Sequence, residues 1–328
     1  MQFIGLEAGN GSTKIVSRGM TDKYENRLER VFGRQFNFLG GDAQTVYEYD
    51  GQRFIVSNRG TTSAGRNSKR YSTQEFLIEN LIAISKVQKE KDVILGTGLP
   101  CTDYLDEKVH EAVKRNLIGE HQIKVGDKLH KIKVHDVFII PQPLGTLFDF
   151  MLNGELKIVN DRNKFRWLVI DIGRGTTDIL LTDGLRAVKI VGANIGSMDI
   201  TNLYLEYIND KFIGTDYKFD RTDVGANNNT SIKKYEQTFD FSKELELAKR
   251  DVARKIMTFI NDEGIDFSMA DRTIYTGGTS IALEKYLQMN ANAKLYTYPE
   301  LGNAKGYYKF VLYKTALVQN QKSKGGRK

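Results

Sequence analysis

Two short stretches set acids, glycines and hydroxyls in one repeated order. Residues 4–16 read IGLEAGNGSTKIV and residues 169–179 read VIDIGRGTTDI. Counted from Glu7, the order is acid, any, Gly, any, Gly, Ser, Thr, a charged residue and two aliphatics. Counted from Asp171, it is acid, any, Gly, any, Gly, Thr, Thr, a charged residue and two aliphatics. Glycine lets a main chain approach a ligand with no side chain in the way. Several N–H groups can then converge on an anion such as phosphate. Gly9, Asn10 and Gly11 offer such a loop, and so do Gly173, Arg174 and Gly175. Ser12, Thr13, Thr176 and Thr177 add hydroxyl donors, and Lys14 adds a point charge suited to phosphate oxygens. Glu7 and Asp171 would repel phosphate directly. They make sense with Mg²⁺ between, an ion that prefers oxygen ligands and keeps several waters. Two such loops facing each other would grip a triphosphate and its metal from both sides. One Gly-x-Gly between strands is ordinarily a tight hairpin. Two copies with matched acids and hydroxyls favour phosphate instead. The pattern is neither a P-loop, where Gly-Lys-Ser/Thr opens a helix, nor a dinucleotide fingerprint, because a strand follows the loop.

The elements that must position these loops are legible from periodicity. Ser72 and Glu75 form a capping box ahead of a helix carrying Leu77, Leu81, Ile84 and Val87. KDVILGTGLP and KVHDVFII read as strands. The second runs into PQPLGTLFDFMLNGE, a helix with Leu144, Leu147, Phe148, Met151 and Leu152 on one face. RWLVIDIG and TDILLTD are strands around the second loop. GSMDITNLYLEYINDKF is a helix on Ile200, Leu203, Tyr204, Tyr207 and Ile208. Residues 221–234 are polar and read as an exposed loop or small insertion. FSKELELAKRDVARKIMTFI is an amphipathic helix, RTIYTGGTSIALEKYL a strand, turn and helix, and YYKFVLYKTALVQ a last helix. Both halves thus open with strand, glycine loop, strand, which argues for duplicated α/β domains.

Composition bounds the rest. The 328 residues suit two domains, and 40% hydrophobic residues suffice for their cores. No apolar run approaches the roughly 18 residues of a membrane helix. The strand-like MQFIGLE at the start leaves no room for a signal peptide. Cys101 is the only cysteine, so a reducing cytoplasm is the expected home. Part of the net charge of +7 sits in QKSKGGRK, a solvated tail or a contact for nucleic acid or an acidic partner. Nothing resembles a DNA-reading helix pair, a stacking platform or a zinc finger.

Five segments together resemble the actin-like ATPase superfamily of actin, seventy-kilodalton heat-shock chaperones and sugar kinases. LEAGNGSTK and VIDIGRGTTD look like its two phosphate loops. IIPQPLGTLFDFML and GNAKGYYKFVL look like its two connecting segments, and IYTGGTSIAL like its adenosine motif. They fall in family order from residue 5 to about residue 313. The resemblance implies an α/β protein of duplicated, ribonuclease H-like domains with mixed sheets flanking a central nucleotide cleft. It implies domain I at 1–150, with a small subdomain near 30–70, and domain II at 151–310, with one near 200–262. Residues 311–328 would return to domain I. Asp171 would hold Mg²⁺, through water, and help polarise the attacking water. Gln142 matches the position that orients that water, and an amide, a poor base, would act by positioning; the plain alternative is a helix-start residue bonded to backbone. Lys14 would neutralise β- or γ-phosphate charge. Gly196, Gly277, Gly278 and Thr279 would approach the nucleoside, and Lys249 would border the base or merely face solvent. Most relatives carry Asp at Glu7 and Gly at Arg174, so the metal role of Glu7 stands apart, and Arg174 has a phosphate, a neighbouring subunit or solvent to face.

Within the superfamily the chain lacks a chaperone's peptide-binding domain, the insertions of sugar kinases and a leading amphipathic membrane helix. Its compact form and GTGLPCTDY look like plasmid-segregation actins of the ParM type. That implies head-to-tail filaments assembled with ATP or GTP, hydrolysis within them, and a DNA-binding adaptor at a centromere-like site. No membrane partner is implied, and no sequence feature assigns a direct nucleic-acid contact. The stretches 59–70 and 221–234 are subunit-contact candidates by exposure. A small-molecule kinase, with Asp178 or Asp199 as its carboxylate, and a non-polymerising nucleotide sensor are the alternatives.

Overall fold

The strand β1 (Gln2–Ala8) is buried on both faces, as a central strand must be, and everything in the first unit is arranged around it. The computed structural model describes residues 1–9, 11–25, 27–32, 44–57, 67–225, 227–234, 236–287, 294–297 and 300–325. The chain divides into two compact units. One comprises Met1–Lys164, Asp183–Arg186 and Glu300–Lys328; the other comprises Phe165–Thr182 and Ala187–Pro299.

In the first unit β2 (Ser12–Ser17) and β3 (Met20–Glu25) follow β1, and β4 (Leu28–Arg30), β5 (Tyr47–Tyr49) and β6 (Gln52–Val56) come next. Then come α1 (Gln74–Val87), β7 (Asp92–Leu99), α2 (Cys101–Tyr104) and α3 (Glu107–Leu117). β8 (Gly119–Val125), β9 (Lys128–Pro141) and α4 (Gln142–Met151) complete the run. One sheet of order β3-β2-β1-β7-β9-β8-β5-β6-β4 holds all nine strands. β1 pairs antiparallel with β2 but parallel with β7, which pairs parallel with β9. β3 alternates half-buried and exposed residues, the pattern of a strand at a sheet edge. β5 and β6 continue the same sheet through β8 rather than forming a sheet of their own.

The helix α1 starts one residue later than its capping-box reading. Thr73, not Ser72, is the N-cap and accepts from the Phe76 N–H at 3.2 Å. Ser68–Ser72 close as a 3₁₀ turn, which leaves Thr73 as the first extended residue before the helix. α1 is buried nearly all round, Glu79 and Asn80 included. The face of α4 also differs from its reading. Pro143, Thr146, Leu147, Phe150 and Met151 are buried, whereas Leu144 and Phe148 are half-buried.

The second unit contains β10 (Arg166–Ile172), β11 (Thr177–Asp183), β12 (Arg186–Ala193), α5 (Ser197–Asp210) and α6 (Arg221–Val224). β13 (Ser231–Lys234), β14 (Gln237–Asp240), α7 (Ser242–Asp262), β15 (Arg272–Thr276), α8 (Gly278–Leu283) and β16 (Lys294–Thr297) follow. Its sheet order is β12-β11-β10-β15-β16, with β15 parallel to both neighbours. β3-β2-β1-β7-β9 in the first sheet follow the same relative order, so the duplication read from ten positions extends to five strands of each sheet. The segment 221–234 is not a plain loop. It carries α6 and one arm of the β13–β14 hairpin, and it buries Val224 and Ile232 beside an aromatic cluster of Phe212, Phe219, Phe239 and Phe241.

The last helix, α9 (Gly302–Gly325), belongs to the first unit. It packs on β1 and β7 over glycines: a Cβ on Gly5 would meet the Ala304 carbonyl oxygen at 2.1 Å, and one on Gly96 the Tyr307 carbonyl oxygen at 2.5 Å. Asn303 Oδ1 accepts from the Thr146 N–H at 3.1 Å and its hydroxyl at 2.6 Å. Lys309 Nζ donates to the Asp149 carbonyl at 2.8 Å and pairs with its carboxylate at 2.7 Å. α4, the helix that Gln142 opens, is therefore pinned along its length. Among the described residues no helix is long and apolar enough to cross a membrane.

Candidate functional site

The two glycine loops close by the same hydrogen bond. In the first, the Gly9 N–H donates to the Ser12 carbonyl at 3.2 Å; in the second, the Gly173 N–H donates to the Thr176 carbonyl at 2.9 Å. Each loop follows the first strand of its sheet, at the end where that strand meets its parallel neighbour. Carboxyl ends of parallel strands are where open α/β sheets place ligands.

In the first loop Asn10 lies outside the described residues, and Gly11 and Ser12 are half-buried at the tip. Thr13 is fully buried and stands opposite Tyr24 in the β2–β3 register. Glu7 and Lys14 are cross-strand partners, and Lys14 Nζ lies 3.2 Å from both carboxylate oxygens of Glu7. Their side chains are only 9% and 11% exposed, so a desolvated ion pair stands directly beneath the loop. Gln142 is the first residue of α4 and half-buried, one residue beyond the β9 end that pairs with Leu99 of β7.

In the second loop Asp171 is 5% exposed at the end of β10, opposite Thr276. Gly277 sits so close that a Cβ there would meet Asp171 Oδ1 at 2.4 Å; its φ of 84° also favours glycine. Arg174 is half-buried and Gly175 buried at the tip. The loop is braced from two sides. The Gly173 carbonyl accepts from the Ser197 N–H at 3.2 Å and the Thr279 hydroxyl at 2.8 Å, and the Arg174 carbonyl accepts from the Met198 N–H at 3.0 Å. A Cβ on Gly196 would stand 2.5 Å from the Arg174 oxygen, so only glycine lets α5 dock here. Gly196, Gly277 and Thr279 thus converge on the loop, and Gly278 is exposed beside them. The two threonine hydroxyls donate inward, Thr176 to Asp178 Oδ2 at 2.7 Å and Thr177 to the Ile195 carbonyl at 2.8 Å.

Lys249 on α7 is half-buried, with Nζ 3.2 Å from Glu246 Oε1. Glu246 also accepts from Lys285 and Tyr286 just after α8. Lys285, then Tyr286, holds its carboxyl down at about 2. The sequence reading missed Glu246, whose i,i+3 spacing from Lys249 was the available signal. It also missed Arg70. That residue ends the basic stretch 59–70 and, far from being exposed, is 7% exposed with its guanidinium on the Ala8 carbonyl. Residues 59–66 of that stretch lie outside the described residues.

Both carboxylates nominated for a kinase already have local structural roles. Asp178 is buried and accepts the Thr176 hydroxyl, and Asp199 Oδ2 accepts the Gly196 N–H at the head of α5. Among the described residues, no three His, Cys, Asp or Glu side chains cluster as a metal cage. Asp171, a buried carboxylate at the end of β10, is the type of oxygen donor that an Mg²⁺ carried on phosphates takes alongside waters.

Residues 5–145 match the family model of the N-terminal domain of actin-like proteins. The solved structures extend the match to the whole chain. An archaeal actin homologue in complex with ADP is similar at 17% identity and a TM-score of 0.74, over 95% of this chain and 100% of that one. The fold is actin-like. The apo psk41 ParM protein gives 18% identity and a TM-score of 0.70, over 97% and 99% of the two chains. A 15-stranded ParM filament from Clostridium botulinum gives 17% and 0.72, over 94% and 98%. No curated protein matches the sequence. The resemblance carried by the five actin-like motifs therefore holds for the fold, including the duplicated α/β units with mixed sheets.

Proposed function

We propose that this actin-like chain is a nucleotide-dependent polymerising protein, a Mg²⁺-dependent ATPase or GTPase whose filaments segregate plasmid DNA in the cytoplasm. The observation that carries the reading is the pair of loops closed by the same Gly N–H to Ser/Thr carbonyl bond, each beside a buried carboxylate. One of the similar proteins holds ADP and another is a filament, and both properties are extended to this chain here. Bound Mg²⁺ would neutralise phosphate charge. Asp171 would hold it, Lys14 would meet the β- or γ-phosphate, and Gln142 would orient the attacking water. Gly196, Gly277, Gly278 and Thr279 would take the nucleoside, with Lys249 at the base. Loss of the γ-phosphate would weaken subunit contacts, as in other nucleotide switches. Head-to-tail contacts that do not close give filaments, and a DNA-binding adaptor at a centromere-like site would couple them to the plasmid. The local roles of Asp178 and Asp199 favour this reading over a small-molecule kinase.

Right-angle light scattering with Mg²⁺ and ATP, GTP or ADP tests it. A triphosphate-dependent rise that decays with phosphate release, absent in Asp171→Ala, is the expected result. Nucleotide binding with no rise at any protein concentration would leave a nucleotide sensor, and ADP production only with an added acceptor would mark a kinase.

A further inference from the structure

We propose that Arg70 is a positioning residue for the first loop, one that fixes the Ala8–Gly9 peptide for anion binding and couples nucleotide occupancy to residues 67–73. The inference rests on the nucleotide reading above. A trans peptide is planar, with its C=O and N–H pointing to opposite sides. Here both ends of one plane are held: Arg70 Nη2 donates to the Ala8 carbonyl at 2.8 Å, and the Gly9 N–H donates to the Ser12 carbonyl at 3.2 Å. Turning this peptide breaks both bonds together, so the loop enters its binding conformation already ordered.

The arginine itself is rigidly mounted. Its guanidinium lies 5.3 Å from the Tyr71 ring centroid and 5.4 Å from that of Phe76, and those rings meet edge to face. Tyr71 donates its hydroxyl to Asp103 at 2.7 Å, and Asn116 Nδ2 donates to the Tyr71 and Thr73 carbonyls, each at 2.9 Å. Burying a guanidinium costs desolvation that a solvated arginine avoids. A charge-assisted bond to a loop carbonyl gives that burial a use, and a cation in a low-dielectric setting behind the loop also favours an anion in front of it. The second loop has a different brace: Gly277 packs so that a Cβ there would meet the Ile172 carbonyl oxygen at 2.4 Å. A buried cation holds the first loop, whereas glycine packing and the uncharged Thr279 hydroxyl hold the second.

Coupling between sites is reciprocal, which gives a test in the unaltered chain. Binding of Mg²⁺ with ATP or GTP should slow amide exchange in residues 67–73 as well as in residues 5–16. Calorimetric titration should show Arg70→Gln raising the nucleotide Kd by about tenfold or more. Arg70→Lys should restore it to within about threefold, since one charge-assisted donor is regained. At saturating nucleotide, kcat should change by less than about twofold, because Arg70 touches no reacting atom. An unchanged Kd in a folded Arg70→Gln variant overturns the proposal. Should that variant not fold, exchange protection at 5–16 without protection at 67–73 overturns it instead. A wild-type chain that binds neither nucleotide removes the nucleotide reading and this inference together, an outcome distinct from the other two.

Discussion

Gly306 on α9 lies so close to Gly145 on α4 that a Cβ on Gly306 would stand 1.6 Å from the Gly145 carbonyl oxygen. The two helices therefore meet backbone to backbone. Since α4 carries Gln142 at its head, this contact fixes the height of that residue above the sheet. Gly306→Ala should destabilise the protein by about 3 kcal/mol or repack the crossing, because the obstacle is main chain and cannot rotate away. Gly154→Ala, with nothing within 4 Å of the new Cβ, should stay within about 0.5 kcal/mol of wild type. Urea unfolding of the two variants decides the matter; matched midpoints would refute the contact.

The buried Glu7–Lys14 pair makes Glu7 the counter-charge of the lysine beneath the first loop. Glu7→Gln removes a negative charge facing a desolvated ammonium, and removing one member of a buried pair costs about 3 kcal/mol. A phosphate on the loop would supply the missing negative charge. The variant's fall in Tm should therefore be large without nucleotide and smaller with saturating Mg²⁺ and ATP. An equal fall in both conditions would show that phosphate does not reach Lys14.

Gln142 stands at the end of β9 on a helix pinned by Asn303 and Lys309. Gln142→Ala should slow phosphate release by at least about tenfold through lost water positioning, while nucleotide Kd moves by less than about threefold. Scattering from assembled protein should then persist longer. A Kd that rises as much as the rate falls would place Gln142 in binding rather than hydrolysis.

Glu246 sets a pH dependence on the α7 side. Its carboxyl is lowered from the ordinary 4.5 to about 2, first by Lys285 and then by Tyr286. A depressed carboxyl contributes stability that is complete above its unfolded value and lost as pH falls through its folded one. The Tm gap between wild type and Glu246→Gln should thus be present at neutral pH and close as pH falls from about 4.5 toward 2. With the side chain 42% exposed, solvent screening limits the gap to about 1 kcal/mol. A gap that widens on acidification would assign the effect elsewhere.

The loops and the order of elements were legible because their causes are local. The bond from Gly9 to Ser12 spans three residues, as does that from Gly173 to Thr176, and glycine spacing alone permits both. Strand and helix periodicity placed β10, β11, α5 and α7 within about two residues of their observed bounds, whereas α9 extends beyond its 307–319 reading at both ends. Three of the misreadings share one cause. Arg70, Val224 and Ile232 lie in polar stretches, where composition argues for solvent, yet each is buried by partners that sequence proximity does not reveal.

The sequence by itself determined that two equivalent glycine loops, each with its acid, stand between strands in a duplicated α/β chain. Side-chain type and short spacing are enough for that, since backbone freedom and alternation act within a few residues. Only the tertiary structure decided which groups those loops would meet. Ala8 is reached by an arginine 62 positions away, and Thr146 by an asparagine 157 positions away. Glu7 turned toward Lys14 because antiparallel register set them side by side. Such meetings depend on strand order and helix docking, which bring together residues whose separation along the chain carries no local signal.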